Sequence, residues 1–159
     1  MGKRLLHCRL LALAPLLLAW LAPWPAAGAA SSFDDTSRCL ALALYFEART
    51  EGREGMLAVA SVVLNRVAHP AFPNSVCAVV TQGGERPPCQ FSWWCDGLSD
   101  RPTEAAAWQL AQSLARRSVG RLPPDATRGA LFFHNTSIAN PWVRKRERTV
   151  RIGRHIFYR

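Results

Sequence analysis

The sequence predicts an α+β domain that is mostly helical, with a small antiparallel β element near its C-terminus. Three observations lead to this class. Apolar residues recur at helical spacing in four segments, all of them before residue 120. Patterns typical of strands are confined to residues 130–158. A length of 159 residues suits one domain.

The first 30 residues have the pattern of a secretory signal. A basic start precedes an apolar run over residues 10–21, and small residues follow as far as Ala30. We expect cleavage near Ala29 or Ala30, which leaves residues 31–159 as the mature domain. The alternative is an uncleaved anchor, although the apolar run is short for a membrane-spanning helix.

The chain is basic, with a formal net charge of +9 that falls to +6 when the leader and its three basic residues are removed. A basic protein outside the cytoplasm is expected to have an anionic partner, such as a cell-wall polymer or lipid headgroups. Nucleic acid fits an exported chain poorly, and we expect none. Much of the charge lies in one late cluster, residues 144–154, which the alternative interpretation makes a solvated surface.

Four cysteines remain outside the leader: Cys39, Cys77, Cys89 and Cys95. An even number in an exported chain predicts two disulfides. Three pairings are possible, and we favour Cys39–Cys77 with Cys89–Cys95 because the second pair closes a short loop. A zinc site is the competing interpretation, but the spacing lacks paired C-x-x-C hooks. We therefore expect no metal and no cofactor.

Four helices follow from the apolar spacing. Thr36 or Ser37 can cap the first helix and Asn74 can cap the third, since their side chains accept backbone N–H groups. Pro70 ends the second helix and Gly120 ends the fourth. The expected bounds are about 37–49, 56–69, 75–81 and 102–119.

The late part of the chain predicts strands over residues 130–134 and 149–158, the second with a kink at Gly153. A long irregular loop over residues 83–101 contains the stretch CQFSWWCDG. Long loops in compact domains are often functional. Aromatic rings beside amide and hydroxyl groups suit sugars, which present an apolar face and a ring of hydroxyls. The alternative is that the tryptophans of this loop fill the core.

A single carboxylate, Glu47, directly follows the apolar run Leu40–Phe46. A carboxylic acid against an apolar wall tends to keep its proton, because burial disfavours the charged form. A proton held near neutral pH is what a general acid needs. The alternative is a structural glutamate that caps the helix or pairs with Arg49 or Arg53.

These segments together resemble the cell wall hydrolase family of the spore-cortex-lytic enzymes SleB and CwlJ. The resemblance covers about residues 39–159. The chain departs from the family pattern at Thr50, where glycine is usual, and at Met56, where glutamine is usual. The motifs that carry the resemblance are YFEARTE (45–51), EGMLAVASVVLNRV (54–67), FPNSVCAVV (72–80), CQFSWWCDG (89–97), GALFFHN (129–135) and IGRHIFY (152–158).

The resemblance implies a lysozyme-like catalytic domain that cuts the glycan strand of peptidoglycan, with Glu47 as the catalytic acid. It implies lytic transglycosylation at the N-acetylmuramic acid–N-acetylglucosamine linkage. The alternatives are a hydrolytic muramidase, an N-acetylmuramoyl-L-alanine amidase and a non-catalytic wall-binding module. We expect a monomer that acts in the periplasm or at the cell wall. The candidate glycan contacts are Gln90, Phe91, Ser92, Trp93, Phe133, Asn135, Trp142 and Tyr158.

Overall fold

The computed structural model describes residues 28–121, 124–138 and 141–159, with side chains from residue 34 onward except that of Trp142. The predicted secretory signal therefore lies almost entirely outside the described residues. Within these ranges, none of the helices combines the length and the apolar character that crossing a membrane requires.

All four predicted helices are present. The chain enters the first helix before the expected cap: Ser37 lies inside this helix, and its hydroxyl donates to the carbonyl of Asp34 at 3.0 Å. Ser75 caps the third helix instead of Asn74, because its hydroxyl accepts the N–H of Ala78 at 3.3 Å. The bounds are α1 Gly28–Ala48, α2 Gly52–Ala68, α3 Val76–Val80 and α4 Ala105–Gly120.

Helix α1 is the centre of the main core and packs against α2, α3 and α4. Leu40 and Leu44 are fully buried in this core. The Tyr45 hydroxyl accepts the backbone N–H groups of Thr103 and Glu104, each at 3.0 Å. These N–H groups precede α4 and cannot be satisfied within it. Tyr45 therefore fixes the start of α4 against the end of α1.

A three-stranded antiparallel sheet completes the fold, in the order β1-β3-β2. It confirms the predicted class. The single last strand expected over residues 149–158 was wrong, because the chain turns back at Gly153 and Arg154. Gly153 has a φ of 56°, which a two-residue hairpin turn requires and which glycine adopts readily. The bounds are β1 Phe132–Asn135, β2 Arg148–Ile152 and β3 His155–Tyr158.

The sheet packs on the helices through a second, smaller core. Ala58 and Val62 of α2 contact Ala130 and Phe157, and all four are fully buried. Short 3-10 helices occupy three of the connections: Arg49–Glu51, Ser92–Trp94 and Pro141–Lys145.

Both favoured disulfides are formed. Cys39–Cys77 joins α1 to α3, and Cys89–Cys95 closes the loop that carries the aromatic stretch. The first bond therefore links two packed helices, whereas the second restrains a single loop.

Candidate functional site

Glu47 lies in the last turn of α1, at the margin of the main core. Ala43, Leu44 and Ala48 beside it on the helix are fully buried, whereas the Glu47 side chain keeps part of its surface exposed. Burial raises the pKa of Glu47 to about 7, and the positive charge of Arg66 opposes this rise. The carboxyl group therefore keeps its proton to a higher pH than an ordinary glutamate does, and it retains some access to solvent.

The alternative interpretation of Glu47 was a residue that caps the helix or pairs with a nearby arginine. Arg49 forms its ion pair with Glu104, at 2.8 Å, and its guanidinium lies 5.3 Å from the centre of the Tyr45 ring. Among the described residues, the Glu47 carboxyl group takes part in no ion pair and no hydrogen bond.

Arg66, in the last turn of α2, is the charged group that acts on Glu47. It is only 4% exposed, and its Nε–H donates to the carbonyl of Leu131 at 2.7 Å. Burial lowers the pKa of Arg66 to about 10, and Glu47 acts in the opposite direction. Its guanidinium lies within 5.6 Å of three ring centres, those of Phe72, Phe91 and Phe132. The sequence contained this arginine within a motif but gave no sign of its burial.

An open pocket of about 270 Å³ lies beside Arg66, between the aromatic loop and the sheet. Gln90 and Phe133, two of the predicted glycan contacts, line it together. Arg146 also lines it, with its guanidinium 3.4 Å from the centre of the Phe132 ring. The fold thus brings one part of the loop and one part of β1 to the same pocket.

The aromatic loop is packed directly against the end of α1. Trp93 is 6% exposed and stacks on Phe46, with ring centres 4.9 Å apart. Because Phe46 precedes Glu47, this stacking links the loop to the backbone that carries the acid. A pocket of about 290 Å³ lies here, and its lining is Phe46, Arg49, Trp93, Asp96, Leu98, Ser99 and Asp100.

Two other predicted glycan contacts, Phe91 and Tyr158, are buried. Phe91 is 2% exposed and meets Phe133 with ring centres 6.5 Å apart, so it supports the first pocket from the core side. Tyr158 is 6% exposed, and its hydroxyl bonds to Nε2 of His134 at 3.0 Å. In this conformation Phe91 and Tyr158 are scaffold, and direct contact between them and glycan stays a prediction.

The remaining predicted contacts differ in accessibility. Ser92 is exposed at the start of its 3-10 helix. The side-chain carbonyl of Asn135 accepts the N–H and hydroxyl of Ser137, at 3.0 and 2.9 Å, and so orders the turn after β1. The side chain of Trp142 lies outside the described part of the chain. A role in glycan binding stays a prediction for all three.

The histidine of β1 has a defined protonation pattern. Nδ1 of His134 lies 2.8 Å from the carbonyl oxygen of Asn135, which can only accept. Nδ1 therefore carries the proton, and in the neutral ring Nε2 accepts the hydrogen bond from the Tyr158 hydroxyl. This arrangement leaves both ring nitrogens of His134 occupied by structural bonds.

Two other carboxylates, Glu51 and Asp125, have structural partners. Glu51 accepts two hydrogen bonds from Arg154, and Asp125 accepts bonds from Asn65, Thr127 and Gly129. No carboxylate is among the groups that shift the pKa of Glu47. Across the described residues, no group of three or more His, Cys, Asp and Glu side chains is arranged to hold a metal ion.

Residues 50–158 match the family described as Cell Wall Hydrolase. The chain is similar to the spore cortex-lytic enzyme of Bacillus subtilis (strain 168), with 37% identity over 122 residues that cover 76% of this chain and 36% of that protein. It is 33% identical over 126 residues to the spore cortex-lytic enzyme of Halalkalibacterium halodurans, and the match covers 78% of this chain and 34% of that protein. The chain therefore spans about a third of the length of these relatives.

Two solved structures are also similar. One is the catalytic domain of the Bacillus cereus SleB protein, with a TM-score of 0.59 and 32% identity over 79% of this chain and 90% of that one. The other is the catalytic domain of the germination-specific lytic transglycosylase SleB from Bacillus anthracis. Its TM-score is 0.61, and the 32% identity extends over 79% of this chain and 94% of that one. These similarities confirm the resemblance deduced from the motifs, and the chain belongs to the cell wall hydrolase family.

Proposed function

We propose that this chain cleaves the glycan strand of peptidoglycan and that Glu47 is its general acid. Family membership and the names of the relatives, spore cortex-lytic enzymes, support a peptidoglycan-cleaving enzyme. The observation that carries the choice of Glu47 is its pKa, raised to about 7 by burial while part of the side chain stays exposed. The family match begins three residues after Glu47, so this assignment depends on the chemistry of the site.

The proposed reaction is lytic transglycosylation. Protonated Glu47 donates its proton to the glycosidic oxygen, and the C1–O bond breaks through an oxocarbenium-like transition state. The resulting carboxylate then takes the proton of the muramic 6-hydroxyl, whose oxygen bonds to C1 and closes a 1,6-anhydro ring. Glu47 ends protonated again, and no water is consumed. The charge of Arg66 favours the carboxylate that exists between the two steps.

The alternative reaction, hydrolysis, differs in its need for a second carboxyl group. Hydrolytic glycosidases commonly place a second carboxyl group roughly 5–9.5 Å from the acid. A hydrolytic muramidase would have to recruit Asp96 or Asp100, which line the pocket beside Phe46.

The test is digestion of purified peptidoglycan followed by mass analysis of the soluble products. We expect the wild type to release muropeptides with anhydro ends, which are one water lighter than hydrolytic products. Glu47→Gln should keep the fold and lose at least about 100-fold in rate, because general acid catalysis contributes on that scale.

The matched control is Asp35→Asn, which removes an exposed carboxylate from the same helix and should leave the rate unchanged. Retained cleavage by folded Glu47→Gln would reject the assigned acid. Soluble products with reducing ends would show that the reaction is hydrolysis and not transglycosylation. Binding of the wild type to insoluble peptidoglycan without release of fragments would favour a wall-binding module.

We also propose that the chain is exported and acts in the periplasm or at the cell wall. The two disulfides support this location, because such bonds form and persist in oxidising compartments. Fractionation of cells that express the full chain should place the protein outside the cytoplasm. Recovery of a reduced protein from the cytoplasm would contradict the proposal.

A further inference from the structure

We propose that the pocket between the aromatic loop and the sheet binds a carboxylate carried by the muramic acid unit of the substrate, through Arg66 and Arg146. The carboxylate belongs either to the stem peptide or, where the peptide has been removed, to the lactyl group. This inference rests on the proposed function and extends it from the position of cleavage to the recognition of the substituent on the sugar.

The first observation is an unsatisfied guanidinium. Arg66 is 4% exposed, and its buried Nη1 has no hydrogen-bond partner among the described residues. Among the residues that the structure describes, the hydrogen bond of this guanidinium is the one that its Nε–H donates to the carbonyl of Leu131. A buried donor without a partner costs free energy, and more when it is charged. Arg66 lines the pocket, so a ligand bound there lies beside the guanidinium that carries this unpaired group.

The second observation is the convergence of two positive charges. Arg146 lines the same pocket, and its charge lowers the pKa of Arg66. Glu47 is the carboxylate that acts on Arg66 in the opposite direction. When Glu47 holds the proton that it donates in catalysis, it no longer provides this negative charge. A bound anion would then offset the repulsion between the two arginines.

The third observation concerns which anion fits. A guanidinium pairs well with a planar carboxylate, to which it can donate two parallel hydrogen bonds. Gln90 adds an amide at the rim, and Phe132 and Phe133 supply apolar walls. The pocket, at about 270 Å³, has room for a carboxylate with a few attached carbon atoms. Arg66 is shared between the pocket and the electrostatics of the proposed acid, because it lines the pocket and also acts on Glu47.

The test compares cleavage of intact peptidoglycan with cleavage of the same material after its carboxylates are amidated. The measured quantity is the ratio of kcat/KM for the two substrates. We expect the wild type to prefer the unmodified substrate by at least about tenfold, the effect of a charge-assisted hydrogen bond. Arg146→Gln should reduce this preference several-fold, and Arg66→Lys should reduce it further if the variant folds.

Arg144→Gln is the matched control, because Arg144 is an exposed arginine of the short helix Pro141–Lys145, which directly precedes Arg146, and it does not line the pocket. It should retain the wild-type preference. If Arg144→Gln and Arg146→Gln lose the preference for the unmodified substrate equally, the preference reflects general attraction between a basic protein and an anionic polymer. That result would overturn the inference. A wild-type ratio near one would also overturn it.

Glycan strands stripped of stem peptides identify the source of the anion, when they are assayed before and after amidation. A preference confined to intact peptidoglycan assigns the stem peptide, and one seen in stripped strands assigns the lactyl carboxylate. Failure of the wild type to cleave any of these substrates would instead reject the proposed function, so the two failures can be told apart.

Discussion

At the scale of single residues, Glu47 combines two properties that conflict. Its position at the margin of the core raises the pKa to about 7, which keeps a proton available for the proposed general-acid role. The same position makes the ionised form costly, since a buried carboxylate loses hydration. Because this pKa is higher in the folded state than in the unfolded state, the contribution to stability is present at acid pH. It is lost as pH rises through about 7.

We therefore predict that Glu47→Gln is more stable than the wild type at pH 8, by on the order of 1–3 kcal/mol. The gain should shrink as pH falls toward 5, where the folded wild type keeps its proton. Urea unfolding at the two pH values measures the difference. Asp35→Asn should show no comparable gain, and a Glu47→Gln gain of the same size at both pH values would contradict the interpretation.

Part of this site could be read from the sequence. The apolar run before Glu47 predicts a raised pKa, because the neighbours of a residue on a helix include those three and four positions before it. Arg66 could not be read in the same way. It belongs to a different helix, and nothing in its own segment shows that three phenylalanine rings and a backbone carbonyl would enclose it.

At the scale of elements, the turn between β2 and β3 is attached to the chain just after Glu47. Glu51 accepts the backbone N–H of Arg154 at 2.9 Å and its Nε–H at 2.6 Å. Thr50 accepts a further bond from Nη2 of Arg154 at 2.7 Å. A side chain at Gly153 would collide with the Glu51 carboxylate. Thr50, the departure from the usual family glycine, therefore contributes a hydroxyl to this attachment.

We predict that Glu51→Gln destabilises the protein by about 1–3 kcal/mol, because the side chain is only 6% exposed and its bonds are charge-assisted. The pKa of Glu51 is lowered, first by the backbone hydrogen bond from Arg154. Its contribution is therefore present above the usual carboxyl pKa and lost as pH falls. Urea unfolding at pH 7 and pH 3 should show a large loss in the variant at pH 7 and a small one at pH 3.

Glu147→Gln is the control for this prediction. Glu147 also pairs with an arginine, Arg159, at 2.7 Å, but both side chains are more than half exposed. Exposed ion pairs typically contribute less than about 1 kcal/mol. If Glu51→Gln and Glu147→Gln lower the free energy of unfolding equally, the prediction that Glu51 stabilises the turn more than an exposed ion pair does is wrong.

The same attachment explains why the end of the chain was mispredicted. The alternation of Val150, Ile152, Ile156 and Tyr158 is correct for strands but does not show where the chain reverses. The reversal at Gly153 and Arg154 is stabilised by Glu51, which lies far away in the sequence. A contact of that kind leaves no local pattern. The α3 cap was missed for a different reason, since Asn74 and Ser75 are both able to cap and adjoin each other.

At the scale of the whole molecule, the two disulfides act on different properties. Cys39–Cys77 closes a loop with a sequence separation of 38, and Cys89–Cys95 one of 6. In the chain-entropy description, longer loops give more stability, about 4 kcal/mol for the first and about 2 kcal/mol for the second. The second bond, however, restrains the loop that contributes to the linings of both pockets described above.

We predict that replacing Cys39 and Cys77 by alanine lowers the free energy of unfolding more than replacing Cys89 and Cys95. The second replacement should reduce peptidoglycan cleavage more, because Gln90 and Trp93 lose their fixed positions. Urea unfolding and the digestion assay, applied to both double variants, measure the two effects. A reversed order in either assay would show that the roles of the bonds are assigned wrongly.

The overall class was predictable because it depends on apolar spacing, and spacing is local. Both disulfides were also anticipated, one of them from the short separation of Cys89 and Cys95. The exposure of the aromatic rings was not predictable. Phe91 stands between Gln90 and Ser92 in the sequence, yet it is buried by elements that reach it only in the folded chain.

The most direct test of the central claim is the pH dependence of kcat/KM for peptidoglycan cleavage by the wild type. This quantity reports the ionisation of essential groups in the free enzyme. If Glu47 must be protonated to act, the rate is constant in mildly acidic solution and falls about tenfold per pH unit above about 7. A rate that stays constant to pH 9, or one that already falls near the ordinary carboxyl pKa of 4.5, would contradict the account.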